Sequence, residues 1–157
     1  MKKILWGIII LLVISIGAGS FIYVNSTKPV RAAESKAVEI AKQETDLSEA
    51  EDFNLYHGTE TFYVIEGKDH DGTSIYVWVP EKKGKIVSLK KSDGISKNEA
   101  INRLKQEKNA AEIVSVRLGM EKNIPLWEIH YRSGSNLINY YYIDFKTGEW
   151  LKKIENL

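Results

Sequence analysis

The chain has no cysteine, three prolines and three histidines among its 157 residues. Without cysteine, disulfide bonds and a lipid-modified cysteine anchor are excluded, and the composition fits an exported bacterial protein. Neither charge sign dominates, because 22 lysines and arginines stand against 21 aspartates and glutamates. A near-neutral chain lacks the basic surface that nucleic-acid binding requires. We therefore expect no nucleic-acid partner.

The few histidines also argue against a metal site. Asp69-His70-Asp71 is the best candidate, but it precedes Gly72 on a predicted hairpin tip with no second group of ligands nearby. Zinc and iron sites need three or four convergent ligands. His130 alternates with Glu128 and Arg132, which predicts a surface position on a strand. The sequence therefore predicts neither a metal nor a cofactor.

Common catalytic motifs are missing as well, since there is no nucleophile elbow, Walker loop, GxGxxG or HExxH. Three short motifs echo the penicillin-recognising enzymes in the right order: Ser88-Leu89-Lys90-Lys91, Ser92-Asp93-Gly94 and Lys146-Thr147-Gly148. The nucleophile of those enzymes opens a helix in a deep cleft, whereas Ser88 ends a predicted strand. The first two motifs also adjoin each other, with no domain between them. We therefore expect a non-enzyme and keep an enzyme of this type as the alternative.

Only one long hydrophobic run is present. Residues 4–24 carry no charge and follow Lys2 and Lys3, and about 20 helical residues span the hydrocarbon core of a bilayer. The run predicts an uncleaved, single-pass signal anchor in the cell membrane, with the N-terminus in the cytoplasm and the rest of the chain outside. A cleaved signal peptide is the alternative, because small residues occur at Ala18-Gly19-Ser20 and Val30-Arg31-Ala32. The apolar segment of such a peptide is, however, only about 7–15 residues long.

The part after the hydrophobic run contains an internal repeat. A shift of 64 positions places Tyr63 on Trp127 and Gly84 on Gly148, and the order of predicted elements repeats with it. Each unit reads as one amphipathic helix followed by about four short strands. Consecutive strands joined by short turns pair antiparallel, and one helix packed on such a sheet is an α+β architecture. The repeat therefore predicts two tandem α+β units.

The hydrophobic pattern also places the elements. The first helix is expected at residues 30–43, and the second follows Ser96, whose hydroxyl forms a capping box with Glu99. In that second helix, Ala100, Ile101 and Leu104 should face a core. The strands are expected at residues 53–56, 61–66, 75–80 and 85–89 of the first unit and 112–118, 126–132, 137–145 and 150–154 of the second.

Alternation along the last long strand separates two faces of the second sheet. Asp144 should point outward, and Tyr140 and Tyr142 share its side of the strand. The helix should then be contacted by Tyr141, Ile143 and Phe145.

The same alternation, transferred through the repeat, predicts an outward face on the first sheet formed by Phe62, Val64, Tyr76 and Trp78. Exposed apolar patches rimmed by polar groups mark interaction sites, and tyrosine and tryptophan are favoured there. These four residues are therefore the candidate partner-binding surface. The alternative is that the other unit, or the loop 56–61, covers them.

The chain resembles a known family in its last hairpin and in its element order. Tyr142-Ile143-Asp144-Phe145-Lys146-Thr147-Gly148-Glu149-Trp150-Leu151 is similar to the closing hairpin of PepSY-type modules, which reads apolar-x-Asp-x-x-Thr-Gly-x-apolar. An N-terminal anchor followed by two cystatin-like units resembles the YpmB/TseB-like proteins of Gram-positive bacteria over essentially the whole chain. The first unit departs from the motif, because Pro80-Glu81-Lys82-Lys83-Gly84 has no aspartate or threonine at the matching places.

The resemblance implies extracytoplasmic regulation by protein binding, linked to cell-wall elongation, with a penicillin-binding protein as partner and without catalytic residues. A PepSY-type module that restrains a peptidase is the alternative within the same class. The predicted organisation is a tail, transmembrane helix and linker at residues 1–27, a first cystatin-like domain at 28–92, and a second, PepSY-type domain at 93–157.

Overall fold

The computed structural model describes residues 2–108, 110–134 and 137–155, with backbone alone for most of residues 2–27. It divides into two compact parts, Met1–Lys36 and Ala37–Leu157, and both sheets lie in the second part. Helix α1 covers Lys2–Glu44, and the strands β1 (Leu47–His57), β2 (Thr61–Asp69), β3 (Ser74–Pro80) and β4 (Val87–Lys90) follow it. A 3₁₀ turn at Lys91–Asp93 leads to helix α2 (Lys97–Glu107). The chain ends with β5 (Ala110–Glu121), β6 (Ile124–Ser133), β7 (Ile138–Asp144) and β8 (Trp150–Ile154).

The strands form two four-stranded antiparallel sheets, each with its strands in sequence order. Sheet 1 contains β1 to β4 and sheet 2 contains β5 to β8, as expected when short turns join successive strands. The predicted α+β class with two tandem domains is therefore confirmed. The domain boundaries predicted at residues 28 and 93 stay predictions. Sheet 1 precedes residue 93 in the sequence and sheet 2 follows it.

The prediction for the first helix was wrong at its start. Helix α1 runs through residues 25–29, where a linker was expected, and includes Pro29. Proline inside a helix removes one backbone hydrogen bond and pushes its ring against the preceding turn, which is why it was read as a boundary.

Among the residues whose side chains are described, no helix is long and apolar enough to count as a membrane span. Most of the predicted span at residues 4–24 lies outside those residues.

The end of α1 packs on one face of sheet 1. Ala37 and Ala41 are buried against a cluster that includes Ile65, Val77 and Val79. The small alanine side chains let the helix approach the strands closely, and the branched residues of the strands fill the space between. This is the inward face that strand alternation predicted for the first unit.

Helix α2 packs on sheet 2 and begins at the predicted capping box. The Ser96 amide donates to Glu99 Oε2 at 2.7 Å, and the Glu99 amide donates to Ser96 Oγ at 3.2 Å. Ala100 and Leu104 are fully buried, whereas Ile101 is only half-buried, so the predicted core role holds for two of the three residues. The Tyr141 hydroxyl donates to Glu107 of the helix, which places α2 on the Tyr141 side of sheet 2.

Candidate functional site

The four residues of the predicted partner-binding surface are buried. Phe62, Val64 and Tyr76 are 3%, 3% and 9% exposed, and Trp78 is 0% exposed. All four belong to one hydrophobic cluster with residues of α2 and sheet 2. The predicted exposure of this face was therefore wrong, and the covering by the second unit, kept open as the alternative, is what the structure has.

Specific contacts hold the two sheets together at this interface. The Trp78 indole Nε1 donates to the carbonyl oxygen of Gly119 in β5 at 3.0 Å. Trp78 and Tyr76 both meet the Phe145 ring edge to face, with centroids 5.8 Å apart in each pair. Gly119 is required here, because a Cβ atom on it would come within 3.0 Å of three atoms of the Tyr56 ring. The interface is thus a closely fitted aromatic layer.

Burial in this layer changes the acidity of its tyrosines. It raises the pKa of Tyr76 to about 12, with a further contribution from the Glu66 carboxylate. Burial also raises the pKa of Tyr56, and the carboxylates of Glu128 and Glu121 add to that shift. Both effects favour the neutral phenol, because ionisation would place a charge in a poorly solvated site next to carboxylates.

The opposite face of sheet 2, away from α2, is partly exposed: the Arg117 and Lys152 side chains are each 42% exposed, whereas Glu128 and Tyr142 are buried. Strand register aligns its side chains in two rows that run across all four strands. We call them the sheet-2 outer face. One row holds Ser115, His130, Tyr140 and Ile154, and the other holds Arg117, Glu128, Tyr142 and Lys152.

The row of the sheet-2 outer face that contains Glu128 forms a network of paired charges. Glu128 is 4% exposed, and its carboxylate accepts from Arg117, whose side chain is 42% exposed. Lys152 donates to both carboxylate oxygens of Glu121, at 2.8 and 2.6 Å, and lies 4.3 Å above the Tyr142 ring. A buried carboxylate needs such a partner, since an unpaired buried charge costs several kcal/mol.

The Tyr142 hydroxyl belongs to the same network. Burial raises the pKa of Tyr142, and the nearby Glu128 carboxylate raises it further. Tyr142 therefore stays neutral at physiological pH and keeps its hydroxyl proton for donation.

The other row of the sheet-2 outer face contains an aromatic pair. The His130 and Tyr140 rings stack with centroids 4.7 Å apart and planes 14° from parallel. His130 Nε2 and Arg117 Nε are buried atoms without a hydrogen-bond partner in the structure. Ile154 at the end of the row is 40% exposed. This face therefore combines a stacked aromatic pair with the half-exposed Arg117, and both tyrosine and arginine are enriched at protein interfaces.

The motif echo of penicillin-recognising enzymes does not form one site. Ser88 is an exposed residue of β4 in sheet 1, and Lys91 forms an ion pair with Glu66. Lys146 and Thr147 lie in the turn after β7, where both amides donate to Asp144 Oδ1 at 2.8 Å. Gly148 has a φ of 70°, the left-handed conformation that this turn requires. These three motifs are therefore strand and turn structure.

Metal ligands are not clustered in the described residues, among which no group of three or more His, Asp or Glu side chains fits a metal ion. Asp69, at the predicted hairpin tip, uses its Oδ1 to accept from the Asp71 and Thr73 amides at 3.0 and 2.7 Å. Its carboxylate thus stabilises the turn that contains Gly72.

Sequence reasoning identified part of the sheet-2 outer face. Alternation placed Tyr140 and Tyr142 on the outward side and His130 with Glu128, and the strand register agrees. It missed Arg117, Glu121 and Lys152, because ion pairs between strands depend on strand register and sheet geometry, which the sequence does not state. The one available signal was Glu128, a carboxylate inside the apolar strand Leu126-Trp127-Glu128-Ile129.

Comparisons with known proteins agree with this architecture. Residues 36–80 match the family described as "Cell wall elongation regulator TseB-like domain", and residues 94–154 match "Peptidase propeptide and YPEB domain", the PepSY family. These two matches fall on the first and the second α+β unit.

A relative and a solved structure extend the likeness over most of the chain. The chain is 36% identical over 152 residues to "Probable cell wall elongation regulator TseB" of Bacillus subtilis (strain 168), covering 96% of this chain and 93% of the relative. It also matches the structure of "YpmB protein from Bacillus subtilis" with a TM-score of 0.74 and 38% identity, covering 77% of this chain and 95% of the other. The chain belongs to the TseB-like family, with a TseB-like domain followed by a PepSY domain.

Proposed function

We propose that the protein is a membrane-anchored, extracytoplasmic regulator that binds an enzyme of cell-wall elongation without being an enzyme itself. The observation that carries the proposal is the 36% identity, over 96% of the chain, to a protein named as a cell wall elongation regulator. A regulator of elongation acts through a protein partner. The partner class that we propose is a penicillin-binding protein.

The sheet-2 outer face is the proposed contact surface. Its stacked His130 and Tyr140 rings and its half-exposed Arg117 and Lys152 offer both apolar area and charge. Glu128 and Glu121 hold the two basic side chains in place, which lowers the entropy lost on binding. The face of sheet 1 away from α1 has no comparable role, because it is covered by the second unit.

Site-specific photocrosslinking tests this surface directly. A photoreactive residue at Tyr140 should give, in intact cells, an adduct that also carries a fluorescent β-lactam. The matched control is the same residue at Lys105, which is exposed on α2. Equal labelled adducts from both positions, or none from Tyr140, would contradict the proposed contact surface.

The anchor and the topology form part of the proposal. The uncharged run at residues 4–24 after two lysines supports a retained anchor with the N-terminus inside. A reporter fused after Leu157 should behave as exported, and the mature chain should still begin with Lys2 and Lys3 near its N-terminus. Recovery of a soluble form that starts near Ala33 would show that the anchor is a cleaved signal peptide.

A second candidate function is restraint of a peptidase. It is favoured by the PepSY match at residues 94–154, whose family is named partly after peptidase propeptides. In that case, the adduct from Tyr140 should contain a protein that reacts with an active-site probe for peptidases and not with the β-lactam. The same crosslinking sample therefore distinguishes the two functions.

A further inference from the structure

A cleft of about 340 Å³ lies at one end of sheet 1, where three turns meet. It lies between the turn after β1, the loop from β3 to β4 and the β5–β6 turn, and Phe62 and Pro80 are among its lining residues. None of its residues belongs to the sheet-2 outer face. Its volume is in the range of small-molecule sites in proteins, at the lower end.

Backbone contacts fix the shape of this cleft. The Glu81 amide donates to the Thr61 carbonyl oxygen at 3.0 Å, which ties the β3–β4 loop to the start of β2. Gly84 folds so closely onto Pro80 that a Cβ atom would lie 3.1 Å from its Cγ. On the other side, Lys122 and Asn123 both have positive φ, 50° and 62°, which makes the β5–β6 turn tight. The cleft is thus largely formed before any ligand arrives.

The cleft is rich in lysine. Lys82, Lys83 and Lys85 line it, and Lys122 adjoins it through Asn123. In the described part of the chain these four lysines form no ion pair within 4.0 Å, whereas the basic residues of the sheet-2 outer face are paired. Two carboxylates, Glu60 and Glu81, also line the cleft, and Glu81 accepts from the Tyr63 hydroxyl at 3.4 Å. The local balance is therefore cationic.

The side chains present suit a phosphate group better than a carboxylate. Lysine binds phosphate as a compact point charge, while the planar, bidentate recognition of carboxylates is typical of arginine, which the lining lacks. Thr59 adds a hydroxyl and Asn123 adds an amide as neutral donors, whereas the Thr61 hydroxyl lies 3.1 Å from His57 Nδ1 and is already hydrogen-bonded. We propose that this lysine cleft binds a phosphate ester of a small alcohol, either free or as part of a larger phosphate-bearing molecule.

Calorimetric titration of the full-length chain in a non-ionic detergent tests the proposal, with glycerol 1-phosphate, inorganic phosphate and acetate as probes. Both phosphate probes should bind at low salt and weaken as salt rises. Replacing Lys82, Lys83 and Lys85 together by glutamine should weaken binding by about tenfold or more.

The matched control removes three charges elsewhere, by Lys97→Gln, Lys105→Gln and Lys146→Gln at exposed positions. It should change the affinity by less than about twofold. Equal weakening in both triple variants, acetate binding as tight as phosphate, or no binding of either phosphate probe by the wild-type chain would each overturn the proposal. Circular dichroism of both variants ensures that lost binding is not lost folding.

Reconstitution in nanodiscs separates a lipid headgroup from other sources of the phosphate ester. If phosphatidylglycerol headgroups occupy the cleft, glycerol 1-phosphate should bind several-fold more weakly in discs that contain this lipid than in pure phosphatidylcholine discs. Equal affinity in both discs assigns the cleft to a phosphate ester that is not part of the bilayer.

Discussion

Leu104 and Ser96 lie on the same short helix and stabilise it by different physics. Leu104 is fully buried against sheet 2, whereas Ser96 caps the helix at the surface. Leu104→Ala removes buried methyl groups and leaves a cavity, so it should lower the free energy of unfolding by about 2–5 kcal/mol. Ser96→Ala loses one cap hydrogen bond and should cost about 1 kcal/mol.

Urea unfolding measures both changes, with Lys105→Ala on the exposed side of α2 as the control. Leu104→Ala should stand well apart from this control. A loss no larger than that of Lys105→Ala would show that the helix is rotated about its axis from the arrangement described.

Substitutions at Trp78 test whether this side chain stabilises the interface between the two sheets. Because it is 0% exposed between the sheets, Trp78→Ala should destabilise the fold by about 3–5 kcal/mol. Trp78→Phe keeps an aromatic ring but leaves the buried Gly119 carbonyl without the indole N–H, and should cost about 1–3 kcal/mol. Thermal melts of the two variants check this order. Near-wild-type melting of Trp78→Ala would mean that the sheet face is exposed after all.

The residue-level predictions from sequence succeeded where the signal is local. The capping box depends on four successive residues, and alternation along one strand correctly grouped Phe62 with Val64 and Tyr76 with Trp78. Which surface covers such a group depends on the partner sheet. That information lies in residues such as Gly119, more than 30 positions away, and no local pattern reveals it.

At the level of elements, all the predicted strands occur, and the errors lie at their ends. β1 begins at Leu47 instead of residue 53. Its first half, Ser48-Glu49-Ala50-Glu51-Asp52, is polar because β1 is an edge strand with solvent on both faces there. Polar edge strands carry little hydrophobic alternation, so their length was underestimated. The predicted first helix was too short for the opposite reason. Pro29 is a strong local signal for a helix boundary, but the helix continues through it.

The contact between β5 and sheet 1 at Gly119 and Tyr56 should contribute to the stability of the fold. Gly119→Ala places a methyl group against the Tyr56 ring and should cost about 1–3 kcal/mol by forcing the sheets apart. Because Tyr56→Ala removes the obstacle, the double variant should be more stable than the sum of the two single changes implies. Unfolding free energies of the four proteins in this cycle give the interaction energy. Strict additivity would mean that Tyr56 does not contact Gly119.

At the scale of the whole molecule, five buried tyrosines among the described residues make stability fall at high pH. Burial raises the pKa of Tyr56, Tyr76, Tyr131, Tyr141 and Tyr142, so the folded state keeps protons that the unfolded chain releases near the ordinary value of 10.0. Their contribution is complete below that pH and is lost as the pH rises above it, for Tyr76 up to about 12.

Urea midpoints at increasing pH test this prediction with Tyr76→Phe, which has no ionisable group at that position. The variant should lose less stability than the wild type between pH 10 and about 12. Its pH dependence at neutral pH should match the wild type, which serves as the internal control. An identical alkaline loss in both proteins would show that Tyr76 is not buried in its neutral form.

The covered face of sheet 1 and the open face of sheet 2 have a consequence for the evolution of the repeat. The two α+β units share one architecture, but the first uses its sheet face to hold the second, whereas the outer face of sheet 2 stays partly exposed at Arg117 and Lys152. Selection therefore acts on equivalent positions for different reasons. Among orthologues, Trp78 and Phe62 should change only to residues that fill the same volume, while Tyr140 and His130, on the contact surface that we propose, should co-vary with the partner's surface. Under the function that we propose, the two copies of the fold have different roles, cohesion for the first sheet face and recognition for the second.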